Sequence, residues 1–141
     1  MTRIDFHSNV PHKLQYVCRL ARKALSSGAR LVIQAPGPVL EELDTLMWTF
    51  SHLDFVPHCA LHSPLAPQTP VLLAADFEEA PHYQVLVNLG DAPPPLFARF
   101  DRLLEIVGAD EEDKRAGRER YKFYRERGYA LQLFDQAGKS E

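Results

Sequence analysis

His58, Cys59 and His62 place three metal-capable side chains within five residues. Structural zinc sites take four ligands, commonly supplied as two separated pairs. No second pair stands out, although His7, His52 and His82 lie elsewhere in the chain. The spacing therefore predicts a loop with two solvated histidines and one buried thiol, and no resident metal. Ser63 follows His62 but sits in no GxSxG elbow, the turn that exposes a nucleophilic serine. Glu78 and Glu79 are adjacent, and neighbours on an extended segment point to opposite faces, so their carboxyls would not converge as an acid–base pair. Phosphate binding requires glycines that let backbone N–H groups close around the ligand. The first strand–helix turn, His7-Ser8-Asn9-Val10-Pro11, has none, and neither GxGxxG nor GxxxxGK[ST] occurs anywhere. Gly37-Pro38 starts a helix without the lysine of a P-loop. No catalytic residue and no cofactor is expected.

The richest stretch runs from Asp110 to Gly128. Asp110, Glu111, Glu112 and Asp113 open it, where a helix dipole favours negative charge, and Arg125 and Arg127 close it, where the dipole favours positive charge. Asp110 suits the N-cap. At about 100° per residue, Lys114, Arg118, Tyr121, Lys122 and Arg125 gather on one side, at spacings of four, three, one and three. Ala116, Phe123 and Tyr124 point the other way, toward a core. The stems of Arg120 and Arg127 extend that core side, with their charged heads reaching back to water. A basic face with one ring in its middle suits an acidic peptide that ends in an apolar residue. The plain alternative is a solvated helix laced by i,i+4 pairs such as Arg115–Glu119 and Lys122–Glu126.

The elements that must hold this helix alternate. Arg3 to His7 reads as a short strand, and His12 to Ser27 as an amphipathic helix on Leu14, Val17, Cys18, Ala21, Ala24 and Leu25, with Pro11 at its start and Gly28 at its end. Arg30–Ala35 is a β-branched strand, and a second helix follows Gly37-Pro38 on Leu40, Leu43, Leu46, Met47 and Phe50. Residues 51–70 are rich in Pro and His and read as irregular except around Phe55. Val71–Ala75, Gln84–Leu89 and Leu103–Val107 read as further strands, with a helical turn near Leu96–Phe100. A long helix spans Glu111–Arg127 and a last strand Tyr129–Phe134. Strand–helix alternation points to crossover units and a mainly parallel sheet. The 141 residues fit one α/β domain over 1–135, with 136–141 as a flexible tail.

Composition narrows the function classes. With 45% hydrophobic and 25% charged residues the chain can fold around a core. A net charge of −3 and a pI near 6.1 give no electropositive footprint, so strong direct nucleic-acid binding is not expected. Two cysteines without a CxxC pair, no apolar run near the start and no stretch of roughly 18 apolar residues suggest a soluble, cytoplasmic protein with no membrane partner.

The segment Arg118-Glu119-Arg120-Tyr121-Lys122-Phe123-Tyr124-Arg125, followed by Gly128 and a closing strand, resembles the C-terminal RERYKxYR signature of the DNA polymerase III chi subunit family. Leu46-Met47-Trp48 and Phe55-Val56-Pro57-His58 resemble a second pattern of that family, a Trp on the second helix and a downstream FVPH. Ile4-Asp5-Phe6 and the helix bearing Cys18 occupy similar positions, so the likeness spans nearly the whole chain. It implies a Rossmann-like sheet flanked by helices and lacking a P-loop. It also implies a non-catalytic clamp-loader accessory with two partners, the psi subunit and the acidic C-terminal tail of single-stranded DNA-binding protein, which ends in Pro-Phe. By position, the tail would meet Arg118, Tyr121, Lys122, Lys114 and Arg125, with Val107 and Leu131 as apolar neighbours. Psi would meet Trp48, Phe55, Val56 and Pro57. Departures from the family lie at Gly108-Ala109-Asp110 and in the proline-rich stretch between Cys59 and Val71. The competing reading is an inactive helicase-like nucleotide-binding domain that keeps weak ligand or nucleic-acid binding; a small hydrolase or metal enzyme built on His58–His62 is a third.

Overall fold

The computed structural model describes residues 1–49 and 56–138. Its elements are β1 (Arg3–Val10), α1 (Lys13–Ser26), β2 (Leu31–Gln34), α2 (Gly37–Thr49), β3 (His58–Ala60), β4 (Val71–Ala74), β5 (Val85–Asn88), β6 (Arg102–Gly108), α3 (Glu111–Glu126) and β7 (Leu131–Asp135). Single 3-10 turns occupy Ala66–Gln68 and Phe97–Arg99. The seven strands form one sheet in the order β3-β4-β2-β5-β6-β1-β7, and every pairing is parallel. With helices on both faces this is a Rossmann-like α/β arrangement, as the strand–helix alternation predicts.

Period-two alternation divides the sheet's side chains between two cores. Leu31, Ile33, Val71, Leu73, Val85, Val87, Leu104 and Ile106 face α1 and α2, meeting Val17, Cys18, Ala21, Leu43 and Met47. Ile4, Phe6, Val32, Leu72, Leu86, Leu103 and Val107 face the other way, onto Tyr124 of α3 and the rings of Phe97 and Phe100. Because β2, β4 and β5 are covered on both sides, their sequences are nearly unbroken apolar runs. α1 and α3 each stop two residues before a glycine at positive φ, Gly28 at 79° and Gly128 at 83°, a backbone turn that a side chain would strain.

Pro11 lies at the start of α1, just ahead of its cap residue His12. Two expectations need correction. Residues 51–70 are not simply irregular, because His58–Ala60 form edge strand β3, paired in parallel with Val71–Leu73. His58 is buried rather than solvated: its Nδ1 bonds Val56 O at 2.8 Å and its Nε2 meets Asp44 Oδ1 at 3.0 Å. Phe55 lies outside the described residues. At the other end Gln136 N donates to Ser8 O at 2.9 Å, which ties the chain just past β7 to β1.

Candidate functional site

Helix α3 is anchored at its start by side chains of its own first turn. Asp110 accepts a hydrogen bond from Asp113 N at 2.9 Å, the capping role its position suggests. Asp113 in turn accepts from Gly108 N at 2.5 Å and from Lys13 Nζ at 3.0 Å. Burial raises the Asp113 carboxyl's pKa, but these two donors outweigh it and hold the group below the usual carboxylate range.

One turn further on, α3 passes so close to the sheet that only glycine fits. A Cβ on Gly117 would stand 2.9 Å from Val107 Cγ2. Beside this contact, between α3 and the sheet edge at β1 and β7, opens a groove of about 450 Å³. Phe6, Val107, Gly117, Tyr121 and Leu133 give it an apolar lining; Ser8, Asn9, Lys114 and Arg118 supply the polar rim. Phe6 and Tyr121 meet edge to face with centroids 5.4 Å apart. Asn9, at a φ of 56°, donates its amide to Asp135 Oδ1 at 2.8 Å.

The structure brings Lys114, Arg118, Tyr121 and Val107 together around this groove. Lys122 and Arg125 are exposed on the same helix, and the Arg125 guanidinium lies 6.0 Å from the Tyr121 centroid. Among the described residues no carboxylate pairs with Lys114, Arg118, Lys122 or Arg125. Arg115 meets Glu112 at 3.8 Å, an i,i+3 contact rather than the i,i+4 pairing with Glu119. Leu131 is half-buried against the second core, and Leu133, two residues on, lines the groove. Phe6, Ser8, Asn9, Gly117 and Leu133 complete the site without having been singled out from the sequence.

Arg120 does not reach back to water. It is 1% exposed, and its Nε donates to Glu105 Oε1 at 2.8 Å from within the second core. Glu105, fully buried on β6, also accepts from the Tyr124 hydroxyl at 2.5 Å and from Asn88 Nδ2 at 3.0 Å. Arg120 Nη1 donates to Asp91 O at 3.1 Å. Burial pulls the Glu105 carboxyl above its ordinary range, against the opposing charge of Arg120 and the hydrogen bonds from Tyr124 and Asn88. Arg127 behaves as the helix pattern suggests, its guanidinium resting 3.5 Å from the centroid of Phe123.

Two other surfaces stand apart from this groove. Trp48 is 57% exposed at the end of α2, its ring 4.8 Å from that of His58. Pro57 beside it is half-buried, whereas Val56 belongs to the first core. At the carboxyl ends of the strands, where doubly wound folds bind nucleotides, lie clefts of about 430 and 560 Å³. Asp91, Asp110, Glu112 and Asp113 line this rim, and its cations Lys13 and Arg115 meet Asp113 and Glu112 at 3.0 and 3.8 Å. The carboxylate of Asp113 also takes up the Gly108 N–H on this rim. No group of three or more metal-capable side chains occurs among the described residues, and no helix among them is long and apolar enough to cross a membrane. Cys18 is buried in the first core, and burial pushes its thiol up to about 11.

The family described as DNA polymerase III chi subunit, HolC, matches residues 1–132. The chain is 33% identical over 137 residues to DNA polymerase III subunit chi of Pseudomonas aeruginosa, covering 94% of this chain and 95% of that one. To the subunit chi of Haemophilus influenzae it is 26% identical over 119 residues, 83% of each chain.

Proposed function

This chain belongs to the DNA polymerase III chi subunit family, an accessory role in replication, and from that premise we propose that it works as a non-catalytic adaptor. Its α3–β7 groove takes the acidic C-terminal tail of single-stranded DNA-binding protein, and its Trp48 surface takes psi, which joins it to the clamp loader. The observation that carries the reading is the groove itself: an apolar floor of Phe6, Val107 and Leu133 beneath two cations, Lys114 and Arg118, that no carboxylate of the described residues neutralises. An acidic peptide with an apolar end supplies what such a groove lacks, charge for the rim and a side chain for the floor.

The test is calorimetric titration with a peptide matching that tail. Arg118 is exposed, so Arg118→Glu should leave folding within ~0.5 kcal/mol of wild type. Replacing an attraction by a repulsion should cost ~2–4 kcal/mol of binding, or roughly 30- to 1,000-fold in Kd. Wild-type binding should weaken as salt rises. A folded Arg118→Glu protein with wild-type affinity would show the face to be merely solvated.

The helicase-like alternative places its ligand at the carboxyl ends of the strands. The lining there has four carboxylates to two cations, with Lys13 and Arg115 already facing Asp113 and Glu112, which disfavours a phosphate, and no ATP hydrolysis is expected from purified protein.

A further inference from the structure

We propose that Glu105 is a positioning residue for the groove, fixing the rotation of α3 that turns Lys114, Arg118 and Tyr121 toward a bound peptide. This rests on the groove being the peptide site, and it explains a feature that stability alone does not. A buried Arg–Glu pair is close to break-even against apolar residues of the same volume, because desolvation consumes most of its Coulombic gain. Glu105 and Arg120, both almost fully enclosed, are therefore a poor way to strengthen this core.

They are a good way to orient it. Arg120 and Tyr124 stand one helical turn apart, and both bond the same carboxylate, at 2.8 and 2.5 Å. Two directional bonds to one fixed point on β6 set both the rotation and the height of the helix. The contact nearest the groove is smooth by comparison: Gly117 lies on the methyls of Val107 with no side chain to interlock. A chain of rings carries the position onward. Tyr124 meets Phe6 edge to face with centroids 6.0 Å apart, and Phe6 meets Tyr121 at 5.4 Å. Asn88, the remaining donor to Glu105, has partners of its own in Ala92 O and Gly90 N, so the tie can be removed without orphaning it.

The experiment replaces the tie with apolar groups of similar shape, Glu105→Leu with Arg120→Met and Tyr124→Phe, and touches no side chain of the groove rim. Two measurements are made: the amide resonances of residues 114–122 in the free protein, and calorimetric titration with the acidic tail peptide. The triple variant should unfold cooperatively, yet show shifted or broadened α3 amides and bind about tenfold more weakly, as lost preorganisation predicts. Wild-type amide positions with unchanged affinity would overturn the proposal. Should the triple variant not fold, Tyr124→Phe removes one hydroxyl and applies the same criterion on a smaller scale. Wild-type protein that fails to bind the peptide would sink the groove assignment instead, and the amide spectra of the free proteins would then decide the role of Glu105 alone, in either direction.

Discussion

Gly117→Ala should destabilise this protein, the reverse of what the same change does in an ordinary helix. Inside a helix, alanine is favoured over glycine by about 0.5–1 kcal/mol, because glycine loses more backbone freedom on folding. Here the added Cβ would stand 2.9 and 3.0 Å from the two methyls of Val107, about 0.6 Å inside the ~3.5 Å of ordinary carbon contact. Val107 cannot readily yield: it is β-branched, hence stiff at χ1, and 4% exposed. The helix must move outward instead, against its ties at Asp113 and Arg120. Overpacking of this kind costs about 1–3 kcal/mol, so after the intrinsic gain the net loss centres on about 1 kcal/mol and reaches at most about 2.5. For a domain of this size the central value is a fall of roughly 3–4 °C in Tm. Because Gly117 and Val107 also line the groove, peptide affinity should fall with stability. Thermal unfolding monitored by circular dichroism gives the first quantity, and a double-mutant cycle with Val107→Ala gives its cause. The smaller side chain should recover about 1 kcal/mol more in the Gly117→Ala background than in wild type. A Gly117→Ala protein that melts higher than wild type would refute the close-approach argument.

Trp48→Ser removes a side chain that is already 57% exposed, so it should cost about 1 kcal/mol or less in stability while abolishing capture of the clamp loader through psi; a folded variant that still captures it would exclude Trp48 from that surface. His82 answers to pH. Burial and the nearby Arg30 charge lower its pKa from 6.5 to about 4, and neither ring nitrogen has a partner among the described residues. Its folded-state pKa is depressed, so between about 6.5 and 4 the unfolded chain takes up a proton that the folded chain refuses. Stability should therefore fall as pH drops through that window. His82→Leu should make the urea-unfolding free energy less pH-dependent between pH values of about 7 and 4.5; an unchanged slope would show that the imidazole titrates freely in the native state.

Local pattern determined some of these features and was silent on others. Strands β2, β4, β5 and β6 were legible because burial on both faces leaves apolar runs. β3 was not: His-Cys-Ala has no strand signature, and the segment is extended because its backbone pairs with β4 while Asp44 and Val56 satisfy the imidazole. The basic side of α3 was legible because helical periodicity alone sets which residues share a face. Its opposite wall was not. Phe6, Ser8 and Asn9 come from the start of the chain and Leu133 from its end, and they meet only because β1 is inserted between β6 and β7. That strand order is a property of the whole sheet, with no trace in any short window.

The buried tie is a different case, since its signals were present. Leu103, Glu105 and Val107 alternate on one face of a strand whose neighbours are apolar. A carboxylate on such a face must find a cation or several donors, because an uncompensated buried charge is too costly to keep. On α3, Gly117, Arg120 and Tyr124 recur at spacings of three and four along the buried stripe, so the arginine sits where a helix meets its sheet. A surface arginine usually lies as a stem with a solvated head. The glutamate in the middle of an otherwise apolar strand argued the other way, since it requires a positive charge inside the core. Of the basic residues on α3, Arg120 is the one whose i+4 neighbour on the helix, Tyr124, is buried in that core with a second donor. The pairing thus follows from asking where the charge of Glu105 could be met, a question posed by the strand and answered by the helix.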